Sequence, residues 1–308
     1  MNILITSTSF QDTPGDHLDL IKKMPWRVFY LRGPLTSKEL ISFKEKINGV
    51  ICGDDEISQA VLDHWNGGDF FGISKYGIGL DKIDLVHANK IGIRVRNCHG
   101  VNSDTVAEHV FAKMLSYTKN LFEHYTNTKK GVWRRFAGTD LKNKTIMIVG
   151  YGAIGRRVAE LSRAFKMNVI IVDPYVDKNQ DYILESIAEG IANVDFLSLH
   201  TNLNNSSFQM VNKFSLKGCK KKLVIINTAR GGIVNENEII SMLKNNQISA
   251  YLTDVIQEEP MIIGNPIYNS HKEIFISPHT ASRTIDNVEN QAIESIENMK
   301  QLINEKNP

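Results

Sequence analysis

The stretch from Ile146 to Asp173 constrains the fold more than any other part of the chain, because it reads in order as strand, glycine-rich turn, helix, strand and acid. Ile146, Met147, Ile148 and Val149 form a short apolar run that enters Gly150-Tyr151-Gly152-Ala153-Ile154-Gly155. From Arg156 to Phe165, Val158, Ala159, Leu161 and Phe165 follow at helical spacing. Each glycine has a separate task. Gly150 permits the tight turn, Gly152 lets backbone approach a pyrophosphate without a Cβ in the way, and Gly155 lets the helix pack closely on the strand. The N–H groups at the helix start would then face the phosphates. A second apolar run, Val169 to Val172, ends at Asp173, which is placed to accept hydrogen bonds from a ribose diol. This favours NAD over NADP, since an acid repels a 2′-phosphate and Pro174-Tyr175 supplies no arginine to receive one.

A chain of 308 residues suggests two domains, each large enough for its own core. The formal net charge is +2, from 36 basic and 34 acidic side chains, so no nucleic acid or other polyanion is expected as a partner. Lys220-Lys221-Lys222 reads as a solvated turn before a strand. Cys52, Cys98 and Cys219 lie far apart with no metal-type spacing, which suits a reducing cytoplasm and gives no metal site. Met1-Asn2-Ile3-Leu4-Ile5-Thr6 looks like a first strand and not a signal peptide, and no segment approaches a membrane span. A soluble, intracellular protein without a membrane partner is expected.

Downstream of the glycine-rich turn, apolar runs recur at Val194 to Leu199, Leu223 to Ile226, Tyr251 to Val255 and Ile274 to Ile276. Near-continuous Val/Ile/Leu runs predict parallel strands with both sheet faces covered by helices. Shorter runs at Ile3 to Ile5, Val28 to Leu31, Gly49 to Cys52, Phe70 to Ile73 and Ile91 to Val95 predict a second, smaller doubly wound domain. One long helix, about Asn102 to Lys129, is expected as the bridge, with Gly131 as its stop. Thr284 to Asn304 reads as an amphipathic helix returning to the first domain.

Six blocks, in order, resemble the D-isomer-specific 2-hydroxyacid dehydrogenases, most closely their short phosphoglycerate dehydrogenase-like branch. They are Lys75-Tyr76-Gly77-Ile78-Gly79-Leu80-Asp81-Lys82-Ile83-Asp84, Gly100-Val101-Asn102 with Val106-Ala107-Glu108-His109, the glycine-rich turn, Asn227-Thr228-Ala229-Arg230-Gly231-Gly232, Asp254 to Pro260, and Ser277-Pro278-His279-Thr280-Ala281. The resemblance implies an α/β fold of two doubly wound parallel-sheet domains. A Rossmann NAD-binding domain, residues 100–283, would be inserted into a flavodoxin-like substrate domain, residues 1–99 and 284–308. It further implies an NAD-dependent oxidoreductase interconverting a small D-2-hydroxy acid and its 2-oxo acid, and a homodimer packed through the cofactor domain. Hydroxypyruvate or glyoxylate reduction, or dehydrogenation of a phosphonate analogue, are alternatives within the family; an NAD(H)-sensing binding protein is the non-enzymatic one.

By this resemblance Arg230, Glu259 and His279 are the catalytic residues. His279 would donate a proton to the carbonyl oxygen during reduction and take it back during oxidation. Glu259 would orient the imidazole and stabilise its charge, and Arg230 would grip the substrate carboxylate with its planar fork. Lys75, the loop Gly77-Ile78-Gly79 and Asn102 are implied substrate contacts. For the loop, a plain strand-to-helix turn is the competing account, and for Asn102, capping of the bridging helix is. Implied cofactor contacts are Gly150, Gly152, Ala153, Ile154, Gly155, Asp173, Thr201, Thr228, Ala229 and Asp254, with His200 shaping the pocket.

Some positions depart from the family pattern. Asn97-Cys98-His99-Gly100 stands where Asn-Thr-Pro-Gly is common, which makes His99 either a substrate contact or a solvent-exposed hinge residue, and Asn202 replaces a frequent proline. Gly53-Asp54-Asp55-Glu56 puts three acids where phosphoglycerate-oxidising members carry groups that meet a phosphate, and three acids would repel one. The chain ending at Pro308 is expected to leave no room for the regulatory domains of longer phosphoglycerate dehydrogenases.

Overall fold

A computed structural model describes residues 1–176, 183–268 and 270–306. The chain divides into two compact units, one of residues 1–102 with 282–308 and the other of residues 103–281. Both are parallel α/β sheets.

In the first unit, β1 (Asn2–Ile5), β2 (Arg27–Tyr30), β3 (Gly49–Cys52), β4 (Gly72–Lys75) and β5 (Arg94–Asn97) pair in the order β2-β1-β3-β4-β5. This is the flavodoxin-like winding. Because side chains alternate along a strand, Ile3 and Ile5 enter one core with Phe10, Ala292, Ile296 and Met299, while Leu4 enters the other with Val61, Leu62 and Trp65. Ile51 and its neighbours Val50 and Cys52 divide in the same way. The helix Ile285–Lys306 supplies the first of these cores, so the C-terminal segment completes the unit that the N-terminus began.

The second unit contains β6 (Thr145–Val149), β7 (Asn168–Val172), β8 (Ile183–Leu184), β9 (Phe196–Leu199), β10 (Val224–Asn227), β11 (Ala250–Thr253) and β12 (Ile274–Ile276), ordered β12-β11-β10-β9-β6-β7-β8. Ile146 and Ile148 face one core and Met147 and Val149 the other, all essentially buried. Fully burying one such side chain stabilises by about 1.5–3 kcal/mol. The chain winds outward from β6 through β7 to β8, then returns to β9 on the other side of β6. The resulting switch point lies between the C-terminal ends of β6 and β9, where open α/β sheets hold their ligands.

Several elements differ from the sequence expectation. The single helix expected over about Asn102 to Lys129 is two, Ser103–Thr118 and Leu121–Lys129, because Asn120 takes a left-handed backbone with φ 53°. Strands β4 and β5 begin later than their apolar runs suggest. Phe70 and Phe71 are buried ahead of β4, and Gly92, at φ 78°, turns the chain before β5. The two-residue β8 had no legible signal. Among the described residues, no helix is long and apolar enough to cross a membrane.

Candidate active site

The glycine-rich turn has the geometry its spacing implies. Gly150 sits at φ 92°, and a Cβ there would lie 2.5 Å from His200 O, so the turn after β6 presses directly on the end of β9. A Cβ on Gly155 would lie 2.0 Å from Gly150 O, which closes the helix Ala153–Ala164 onto the turn. At Gly152, the residue preceding that helix, a Cβ would meet nothing within 4 Å. The middle glycine thus borders open space at a helix N-terminus, which suits an anionic group.

Asp173, just beyond β7, accepts from Tyr151 N at 2.7 Å through Oδ2 and from Tyr175 N at 2.9 Å through Oδ1. These two bonds fix the end of β7 to the glycine turn. On the opposite side of the switch point, Thr228 Oγ1 and His200 Nδ1 are buried with no hydrogen-bond partner among the described residues. Ser198 Oγ lies 2.8 Å from His200 Nε2, and burial pushes the His200 ring down to about 3. Open space at Gly152, a helix N-terminus, an acid beyond the second strand and an unsatisfied buried hydroxyl fit a dinucleotide.

Strands β10, β11 and β12 are parallel neighbours, with Asn227 paired to Thr253 and Thr253 to Ile276. Residues just past their C-terminal ends therefore emerge on one edge of the sheet, and these are Arg230, the Asp254–Glu259 loop and His279. Asn227 organises the first loop by accepting from Ala229 N at 3.1 Å and donating to Arg230 O at 2.9 Å. Arg230 is half-buried, and its Nη1 donates to Ala229 O at 2.8 Å. A Cβ on Gly231 would fall 2.0 Å from the carbonyl carbon of Ile256, so glycine lets the arginine loop lie against the next one. Ile256 N in turn donates to Glu259 Oε1 at 2.9 Å, and Glu259 Oε2 lies 2.7 Å from His279 Nδ1. With the carboxylate accepting, Nδ1 carries its hydrogen, and Nε2 is the nitrogen that can exchange a proton with a substrate. His279 has φ 53°, a left-handed backbone rare outside glycine, and both it and Glu259 keep about a third of their side chains exposed, 36% and 35%.

The hub behind this edge is Asp254, whose side chain is fully enclosed. Its Oδ1 accepts from Ser277 Oγ and from Thr280 N at 3.0 Å, its Oδ2 from Ala281 N at 2.7 Å, and its backbone oxygen from His279 N at 2.8 Å. The family resemblance implied Asp254 as a cofactor contact. Enclosed in this way, it acts on the site through the loop it ties down. His109, which sequence reasoning left without a role, stands 3.3 Å from Ser277 Oγ and 3.5 Å from Asp254 Oδ1. Burial lowers its pKa against the pull of that carboxylate. Its sequence signals were its place in the Val106–His109 block and a histidine on an otherwise apolar helix face.

In the first unit, Gly77 at φ 108° opens the expected substrate loop, and Asn97 Nδ2 donates to Ile78 O at 2.8 Å. Lys75 is buried; its Nζ donates to Asp54 Oδ1 at 2.9 Å and Tyr76 O at 3.0 Å. The three acids after β3 are not one repulsive face. Asp55 is buried, accepting from Thr6 Oγ1, Leu35 N and Gly53 N, and Glu56 accepts from Ser37 N. Asp54 and Glu56 remain exposed, and Asp54 is paired with Lys75. Asn102 Oδ1 is buried without a partner among the described residues, so the helix-capping account of this residue fails.

The fold and this edge define a Rossmann dinucleotide-binding protein with an oriented histidine–carboxylate pair. Residues 111–281 match the family described as D-isomer specific 2-hydroxyacid dehydrogenase, NAD binding domain, and the chain belongs to that family. D-3-phosphoglycerate dehydrogenase of Methanocaldococcus jannaschii is 34% identical over 195 residues, covering 61% of this chain and 37% of that protein. Glyoxylate reductase of Thermococcus litoralis is 31% identical over 229 residues, 69% of this chain and 67% of that one. Among solved structures, the TT0316 protein from Thermus thermophilus aligns with a TM-score of 0.87 and 29% identity, covering 99% of this chain and 97% of that one. The chain spans about two fifths of the length of the phosphoglycerate dehydrogenases it matches, 37 to 41%.

Proposed function

We propose that this protein interconverts a small D-2-hydroxy acid and its 2-oxo acid with NAD as the redox partner. The observation that carries this reading is the 2.7 Å pairing of His279 Nδ1 with Glu259 Oε2, whose other oxygen is held by Ile256 N. It presents a proton donor whose ring orientation is fixed. Bound nicotinamide would supply or accept the hydride at C2. His279 Nε2 would deliver a proton to the carbonyl oxygen in reduction and remove it from the hydroxyl in oxidation. Arg230 would hold the carboxylate bidentately and polarise the carbonyl. Gly77, Ile78, Gly79 and Asn102 are assigned to the substrate, with Lys75 acting electrostatically through its pairing with Asp54. Gly150, Gly152, Ala153, Ile154, Gly155, Asp173, Thr201, Thr228 and Ala229 are assigned to the cofactor. Asp254 is assigned to the cofactor side as well, acting through the His279 loop that its carboxylate and backbone hold.

The reading extends to assembly and location. Leu121, Phe122, Tyr125 and Trp133 leave large apolar surfaces exposed on the second unit, which supports a homodimer joined there, and light scattering of the purified protein tests it. Free thiols at Cys52, Cys98 and Cys219 fit the cytoplasm.

The activity is tested by following NADH consumption with glyoxylate, pyruvate, hydroxypyruvate and phosphohydroxypyruvate in turn. Consumption with at least one acid is expected. Binding of NADH with no consumption by any of them would replace the enzyme with a nucleotide sensor.

A further inference from the structure

The residue that closes the glycine turn also carries an arginine. Tyr151 gives its N–H to Asp173 Oδ2 at 2.7 Å, while its carbonyl oxygen accepts from Arg156 Nε at 3.0 Å. The Arg156 guanidinium lies over the Tyr151 ring, 5.6 Å from its centroid. One tyrosine thus brackets an acid through its N–H and a cation through its C=O and ring. Arg156 is exposed on the first turns of the helix Ala153–Ala164, and among the described residues its Nη groups have no hydrogen-bond acceptor. Pro174 and Tyr175 supply no cation after β7, whereas Arg156 is held by the same tyrosine that Asp173 holds.

Resting on the NAD reading above, we propose that Arg156 is a specificity-determining residue, a latent receptor for the 2′-phosphate of an adenine dinucleotide whose use is suppressed by Asp173. A ribose bearing a free 2′-hydroxyl needs an acceptor, and the Asp173 carboxylate keeps lone pairs for one beyond its two backbone bonds. A 2′-phosphate adds negative charge at the same place. It is repelled by Asp173 and attracted by Arg156, whose remaining N–H fork matches phosphate geometry. Discrimination against the phosphorylated cofactor is then a balance between two charges held by one residue, and removing the negative member tips it.

The test is calorimetric binding of ADP and of adenosine 2′,5′-bisphosphate to the whole protein, with circular dichroism on every variant. ADP binding by the wild type checks the NAD reading independently, and its absence would overturn that reading and this inference together. Asp173→Asn keeps the side-chain shape while removing the charge. It should improve affinity for the bisphosphate relative to ADP on the order of tenfold, and adding Arg156→Ala should abolish that gain. Bisphosphate affinity of the double variant equal to that of Asp173→Asn would overturn the proposal. Should Asp173→Asn loosen the turn and fail to fold, Arg156→Ala alone decides. It should lower bisphosphate affinity several-fold while leaving ADP unchanged, and equal affinities for wild type and variant would contradict the proposal.

Discussion

Asp254 holds His279 by its backbone and the loop around it by its side chain: its carbonyl oxygen accepts from His279 N at 2.8 Å, and its carboxylate gathers Ser277, Thr280 and Ala281. The histidine proposed to transfer the proton thus depends on a residue whose carboxylate is itself fully enclosed. In Asp254→Asn the amide group must face at least one backbone N–H that formerly met an oxygen. Leaving buried donors unmet costs about 1–3 kcal/mol. The variant should show a lower Tm and a reduced kcat, with KM for NADH little changed, because the loss falls on the histidine loop.

Gly231 makes the complementary contact between the arginine and glutamate loops. A methyl group there would meet Ile256 backbone at 2.0 Å, with the Ile256 oxygen at 2.1 Å. Backbone on both sides cannot rotate away as a side chain would, so Gly231→Ala should destabilise by about 1–3 kcal/mol, read from chemical denaturation. Activity should fall further than stability explains, because Ile256 N holds the glutamate that orients His279.

His279→Ala removes the proposed acid, and kcat for reduction should drop ~10²- to 10⁴-fold. Glu259→Gln retains a hydrogen-bonding side chain without the charge, and a smaller loss, on the order of 10²-fold, is expected. NADH binding, followed by fluorescence, should survive in both. Wild-type turnover in His279→Ala would remove the histidine from the chemistry.

How much of this was legible depended on whether a residue's task lies in its own segment. The glycine turn was legible because Gly150, Gly152 and Gly155 act locally, and the strands because burial on both faces leaves continuous apolar runs. The histidine, glutamate and arginine were legible through their blocks. Parallel strand order puts those blocks at one edge, which no local pattern encodes. Asp254, His109 and Lys75 meet partners distant in the chain, so their hydrogen-bond partners could not be read from their own segments. Asn120 ended a helix by adopting a left-handed backbone, which its flanking sequence did not announce.

Acid should weaken the protein through His200. Burial pushes this ring down to about 3, whereas an unfolded histidine titrates near 6.5. Between those values the unfolded chain binds a proton that the native one excludes. Stability from this group is therefore complete above about 6.5 and is lost as the pH falls, by at most ~1.4 kcal/mol per pH unit. His109, lowered by burial, adds in the same direction. Denaturation at about pH 7 and about pH 5 should show a smaller acid loss for His200→Gln than for wild type, by up to ~2 kcal/mol. Equal losses would remove His200 from the acid response.

The central claim is hydride transfer at C2 coupled to proton delivery by His279. It is tested most directly by reducing a responsive 2-oxo acid with NADH carrying deuterium at the transferable position, then analysing the product by mass spectrometry and chiral chromatography. The account predicts a D-hydroxy acid with one deuterium at C2, formed by wild type and suppressed ~10²- to 10⁴-fold in His279→Ala. A product without deuterium at C2, or of L configuration, would contradict it.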